Sequence, residues 1–182
     1  MTEIVLEMQN VSKTYPGVRA LDDFSIECRS GEVHAILGEN GSGKSTLMKI
    51  ASGTVTPDGG TVVINGKPLT STDAGLAHDL GLYTVYQDDS LVRELSVAQN
   101  LYLGTKKGEV PYGQMNAWAQ TKLDEFEMPF TATTTLGDLT PAHRQFVEII
   151  KGLLNAPRAL LLDEPTSTLD MAGVKKLMAM IR

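Results

Sequence analysis

Apolar side chains change their repeat several times along this chain, and each change marks an element. Residues 4–11 and 24–29 alternate apolar and polar side chains, as half-buried strands do, around a turn signal at Tyr15-Pro16-Gly17-Val18. Val33-His34-Ala35-Ile36-Leu37 is nearly continuous apolar chain and predicts a buried strand. Leu47, Met48, Ile50 and Ala51 then supply the apolar face of a helix. Thr56-Pro57-Asp58-Gly59-Gly60 is a turn, and the strand Thr61-Val62-Val63-Ile64 runs into a tight turn at Asn65-Gly66. Leu80 to Tyr86 predicts another strand. Residues 91–130 read as helical, and Met115, Trp118, Ala119, Leu123 and Phe126 form a stripe taken as core. Pro129 and the run Thr131 to Thr135 end that segment. A second amphipathic helix spans about 143–155, with Asn155 and Pro157 as stop signals. The apolar run Ala159 to Leu162 ends in Asp163. There is no internal repeat, low-complexity tract or flexible interdomain linker.

Length and charge narrow the classes. At 182 residues the chain suits one domain with a proper core and room for a subdomain, and 42% apolar with 21% charged residues is ordinary for a globular protein. Formal net charge is −6, and Lys/Arg clustering stops at pairs such as Lys106-Lys107 and Lys175-Lys176. No nucleic-acid footprint is expected. The single cysteine, Cys28, excludes an intrachain disulfide and is expected to pack as a small apolar side chain. Met1 to Glu7 lacks a basic start and a long apolar stretch, so it is not a signal peptide. No apolar run approaches the ~20 residues of a membrane span. A cytoplasmic location is expected, with any link to a membrane running through a partner.

Candidate chemistry gathers at two places. Gly38-Glu39-Asn40-Gly41-Ser42-Gly43-Lys44-Ser45-Thr46 fits G-x-x-x-x-G-K-[ST], between a predicted strand and a predicted helix. Glycines let such a loop curl so that its N–H groups point inward as an anion nest, and the following helix adds its N-terminal dipole. Lys44 is placed to reach the β- and γ-phosphates of a nucleotide, and the Ser45 hydroxyl to ligate Mg²⁺. The second place is Leu162-Asp163-Glu164-Pro165, where an apolar strand delivers a carboxylate to its C-terminal edge. Asp163 can help hold Mg²⁺, and Glu164 can orient or activate an attacking water. Two further residues stay open on chemistry alone. Tyr15 is either a loop aromatic covering core or a flat face for a base. Gln87, just past a strand, is either a ligand-side residue or a solvated loop amide.

The order of these motifs resembles the ATP-binding cassette (ABC) ATPases over nearly the whole chain. The resemblance makes Tyr15 the adenine-stacking aromatic, Gln87 the Q-loop glutamine, Asp163 the Walker B aspartate and Glu164 the catalytic glutamate. Ser167-Thr168-Leu169-Asp170 matches the D-loop. Val11 to Leu21, Gly31 to Gly41, Leu95 to Asn100 and Phe146 to Lys151 look like the N-terminal cassette of monosaccharide (ribose/xylose-type) importers. Leu139-Thr140-Pro141-Ala142-His143 stands at the signature motif, where the family reads L-S-G-G-Q or L-S-V-A-Q. Thr140 keeps the hydroxyl and Ala142 the small residue. Pro141 removes an N–H, and His143 replaces a neutral amide with an imidazole ring.

That resemblance implies an α/β fold: a RecA-like P-loop NTPase core with an antiparallel β flank and an inserted helical subdomain, cut short after the D-loop. The core is expected at 1–87 and 140–182 and the helical subdomain at 88–139. The implied activity is an ATPase that powers import of a small sugar, with ATP and Mg²⁺ as ligands. Lys44, Gln87 and Glu164 are the implied catalytic set, and Ser45, Gln87 and Asp163 the metal set. Tyr15, Gly38, Asn40, Gly41, Ser42, Gly43, Lys44, Ser45 and Thr46 would hold the nucleotide. Thr140 and Ala142 would face the nucleotide of a second ATPase cassette, present as a dimer mate or a fused tandem repeat. The further partners implied are a transmembrane permease and, indirectly, an extracytoplasmic sugar-binding protein. The location implied is peripheral, on the cytoplasmic face of the inner membrane, and these residues alone are expected not to turn ATP over steadily. Two other classes use similar motifs: a regulatory half-site with weak hydrolysis, and a soluble ABC-type ATPase acting on nucleic acid or ribosomes.

Overall fold

The computed structural model, which describes residues 3–86, 90–105 and 110–181, opens on a long hairpin. Strands β1 (Ile4–Tyr15) and β2 (Val18–Arg29) pair antiparallel from Ile4↔Arg29 to Tyr15↔Val18. Both run further than the alternation predicts, because register shifts break the two-residue repeat. Asn10 (φ 52) and Asp23 (φ 50) take left-handed backbone there, and Asn10 Nδ2 donates to Asp23 Oδ1 across 2.8 Å. Polar side chains at such positions end an apolar pattern without ending a strand.

The predicted strand at Val33–Leu37 is corrected: the segment is irregular, with Val33 68%, Ile36 36% and Leu37 90% exposed. A buried strand needs neighbours to take its N–H and C=O groups. Among the described residues no strand pairs with this one. The helix after it forms as expected, as α1 (Lys44–Ala51), with Leu47, Ile50 and Ala51 buried. Strand β3 (Gly59–Ile64) joins the open edge of β1, Leu6 facing Ile64 and Ser12 facing Gly59. Asn65 (φ 48) and Gly66 (φ 73) make the tight turn into β4 (Lys67–Pro68), giving a sheet of order β2-β1-β3-β4. Helix α2 (Ala74–Asp79), capped by the Asp73 carboxylate on Gly75 N, is too short for periodicity to reveal.

Strand β5 (Leu82–Val85) and strand β6 (Ala159–Leu162) form a separate two-stranded sheet. Arg158 N and Ala159 N both donate to the Gly81 carbonyl, at 2.8 and 3.1 Å, which joins the starts of the two strands. Residues Met1–Thr84 and Ala156–Asp163 make one unit of the chain, and Val85–Asn155 with Glu164–Arg182 make another. The core of the first unites Leu6, Met8, Val11 and Leu21 of the hairpin with Leu47, Ile50, Val62, Ile64 and Leu82. Cys28, half-buried, packs against that core, and burial pushes its thiol pKa up. No thiolate chemistry is favoured there.

In the second unit the helical reading of 91–130 holds in part. Among the described residues that stretch contains α3 (Val97–Tyr102) and α4 (Met115–Glu125), with a short 3-10 turn at Tyr112–Gln114. Pro111, extended at φ −61 and ψ 134, precedes that turn and breaks any continuous helix. Met115, Ala119 and Leu123 are buried, so the stripe is core. Buried Asn100 clasps the loop before α3: its Oδ1 accepts from Val92 N (2.8 Å) and its Nδ2 donates to Val92 O (2.9 Å) and Ser96 O (3.0 Å). Helix α5 (Pro141–Leu154) begins two residues earlier than periodicity suggests, and α6 (Met171–Ile181) follows the D-loop.

Candidate functional site

The glycine loop is built on the first unit. Gly41 (φ 83) and Gly43 (φ 92) both take left-handed backbone, the alternation that turns successive N–H groups inward. Gly43 has a second reason to be glycine. A Cβ there would lie 2.2 Å from the Ala20 carbonyl oxygen, so β2 and the loop meet backbone to backbone. Helix α1 begins at once, with Leu47 N bonded to Gly43 O at 2.9 Å. No side chain caps its N-terminus and no acidic residue sits in its first turn, so its N–H groups and dipole are open to an anion. Lys44 Nζ donates to Gly38 O at 2.8 Å and to Glu39 O at 2.9 Å, which folds the cation over the loop. Gly38, Asn40, Gly41, Ser42 and Ser45 are exposed, and Lys44 and Thr46 half-buried.

Tyr15 ends β1 and pairs with Val18 across the Pro16-Gly17 turn, two residues from Ala20. The contact of Ala20 with Gly43 therefore sets the hairpin tip beside the glycine loop. Tyr15 is 39% exposed, so it is not a buried core residue. Lys13, two residues earlier on the same strand face, holds its Nζ 5.7 Å from the ring centroid. Asp58 secures both: its Oδ1 accepts from Lys13 Nζ and its Oδ2 from Thr14 N, each at 2.7 Å. Those partners, Lys13 first, hold its pKa below the ordinary carboxylate value. Sequence reasoning missed Asp58, since it lies in a stretch that reads only as a turn.

Asp163 follows β6, whose Ala159 and Leu161 pack against the core that α1 helps to build. A serine hydroxyl and one carboxylate are hard oxygen donors of the kind Mg²⁺ shares with phosphates. Among the described residues no group of three or more His, Cys, Asp or Glu is placed to hold a metal alone. Ser45 and Asp163 both belong to the first unit and carry donors of that kind. Gln87 lies outside the described residues.

Glu164, Thr140 and Ala142 belong to the second unit. Glu164 is exposed, with left-handed backbone (φ 45), and its carbonyl accepts from Ser167 N at 3.1 Å. The D-loop ends at Asp170, whose Oδ1 takes Gly173 N at 2.8 Å at the start of α6. Thr140 is the N-cap of α5, its hydroxyl accepting from His143 N at 3.2 Å. Pro141 falls at the first helical position, where its missing N–H costs the helix nothing. The His143 ring packs on Phe130 with centroids 5.2 Å apart. Ser90 Oγ donates to the buried Glu148 carboxylate at 2.6 Å, a tie that sequence alone did not reveal.

Known proteins resemble the chain over almost all its length. The ABC transporter family matches residues 21–167. A ribose import ATP-binding protein of Rubrobacter xylanophilus is 42% identical over 181 residues, 98% of this chain and 36% of that protein. An arabinose import ATP-binding protein of Escherichia coli is 41% identical over 180 residues, 97% of this chain and 36% of that protein. The chain thus spans little more than a third of the length of these relatives. A nucleotide-free ATP-binding cassette from an ABC transporter matches with a TM-score of 0.82 at 22% identity, covering 98% of this chain and 76% of that one. A dimeric ATP-binding cassette in a post-hydrolysis state, bound to ADP and Pi, matches with a TM-score of 0.83 at 26% identity, covering 97% and 81%. The fold is the α/β, RecA-like one of those cassettes.

Proposed function

The chain belongs to the ABC transporter family, and from that premise we propose that it is the ATP-binding and hydrolysing part of an importer for a small sugar. Cassettes of this family bind ATP. The observation that carries the reading is the glycine loop: an uncapped helix N-terminus, left-handed Gly41 and Gly43, and Lys44 Nζ folded over the loop. Such a cradle fits a nucleotide polyphosphate.

In this reading the γ- and β-phosphates take the place of the Gly38 and Glu39 carbonyls on Lys44. Tyr15 stacks on the adenine, and Gly38, Asn40, Gly41, Ser42, Gly43 and Thr46 surround the phosphates. Ser45, Asp163 and Gln87 hold Mg²⁺, which when bound offsets charge on the phosphate oxygens. Glu164 accepts a proton from the water that attacks the γ-phosphorus in line, and ADP leaves. Thr140 and Ala142 face the nucleotide of a second cassette. The ATP-binding core is assigned to 1–87 and 140–182 and the helical subdomain to 88–139. No helix of the described residues is long and apolar enough to cross a membrane. Contact with the membrane then runs through a permease at its cytoplasmic face, fed by an extracytoplasmic sugar-binding protein. The sugar class is supported by the import relatives.

The test is uptake of labelled ribose, xylose, galactose and arabinose by cells whose own copy carries Lys44→Ala. Loss of uptake of at least one of these sugars, restored by the wild-type gene, is expected. Unchanged uptake of all four contradicts the sugar reading.

A further inference from the structure

We propose that Asp58 is a positioning residue for the nucleotide base, holding the Tyr15 ring in place through Lys13 and the backbone of Thr14. The inference rests on the reading of Tyr15 as the base platform. Strand β3 begins at Gly59, opposite Ser12, so β1 has no β3 ladder partner over its last residues. Asp58 continues the ladder by itself. Its N–H donates to Ser12 O at 2.8 Å, and its Oδ2 accepts from Thr14 N at 2.7 Å. One residue therefore replaces the two bonds that a longer β3 would have made. Its Oδ1 draws Lys13 Nζ to 2.7 Å, and that same nitrogen lies 5.7 Å from the Tyr15 ring centroid.

Two degrees of freedom are removed by this arrangement. The backbone just before Tyr15 is held, so the hairpin tip cannot swing away from the glycine loop. The ring is supported by a cation that Asp58 in turn keeps from wandering into solvent. Lys13 is a long side chain with much rotamer freedom to lose, yet it is only 17% exposed, against 47% for Asp58. A stacking surface that is already ordered loses less entropy when a base arrives. A simple surface ion pair has no reason to involve the base at all, and that separates the two interpretations.

The experiment is equilibrium binding of Mg²⁺-ATP and of Mg²⁺-tripolyphosphate to the full chain and its variants. Tripolyphosphate occupies a phosphate cradle but has no base. Asp58→Asn and Lys13→Gln should each weaken ATP about three- to tenfold and leave tripolyphosphate unchanged, while Lys13→Arg restores ATP affinity. Tyr15→Ala should show the same selective loss, and Asp58→Asn should add little to it, because both act through one ring. If Tyr15→Ala loses no ATP affinity, the platform reading fails and the inference with it. If Tyr15→Ala loses ATP selectively but Lys13→Gln and Asp58→Asn do not, the platform stands and the inference is overturned. Equal losses of both ligands would mark Asp58 as a fold residue only, which also overturns it. Should Asp58→Asn fail to fold, the Lys13→Gln and Lys13→Arg pair decides the matter.

Discussion

Glu164 carries its side chain on left-handed backbone (φ 45), which costs a residue with a Cβ about 1–2 kcal/mol. Strain of that kind persists only where surroundings impose it, and here it falls on the residue assigned to activate water. Glu164→Gln keeps shape and removes the proton acceptor. Mg²⁺-ATP affinity should stay within about twofold, while turnover by the transporter falls by about 10² or more. Loss of binding with turnover per bound ATP intact would contradict the assignment. Asp58 gives a pH signature. Its native pKa is lowered, so its stabilisation is present above the ordinary carboxylate range and lost as pH falls through the lowered value. Thermal unfolding of wild type and Asp58→Asn should therefore differ near pH 7 and converge only as the pH falls from about 4 through the lowered value. A gap of constant size across that range would rule out the carboxylate as its source. The glycine loop and the helix after it were legible in the chain because motif spacing is rigid. Asp58 was not, since its partners Lys13 and Thr14 are distant in sequence and only the β1–β3 register brings them near.

Where elements went unread, the cause was a partner the pattern does not contain. Val33 to Leu37 reads as a buried strand from composition, but burial requires ladder neighbours, and the described strands supply none. Amide exchange there should be fast while Met8 and Val62, paired within the sheet, exchange slowly. Slow exchange across 33–37 would show a strand after all. The hairpin extends past its apolar alternation because bulges absorb the mismatch. Gly60 lies in β3 at the register shift between β1 and β3: at φ 87, an added Cβ would stand 2.4 Å from Gln9 O and 2.5 Å from Asn10 O. Gly60→Ala should cost more than about 1 kcal/mol in denaturant unfolding. Helix α5 starts two residues before the amphipathic stretch because Pro141 sits at the first helical position, where no N–H is needed. Thr140→Ala should remove its cap and cost about 1 kcal/mol.

The molecule is a cassette in which two kinds of information had different reach. Family and fold could be read early, because a glycine loop, a carboxylate-tipped strand and a D-loop occur in one order over nearly the whole chain. The sheet could not be read to its last strand, because pairing depends on neighbours that motifs do not report. At the level of the whole chain the claim is that Lys44 and the α1 N-terminus form a working nucleotide cradle. Equilibrium binding of Mg²⁺-ATP to wild type and Lys44→Ala tests it most directly. Removal of a charged donor from the phosphates should weaken binding about ten- to a hundredfold. Equal affinity for ATP in the two proteins would contradict it.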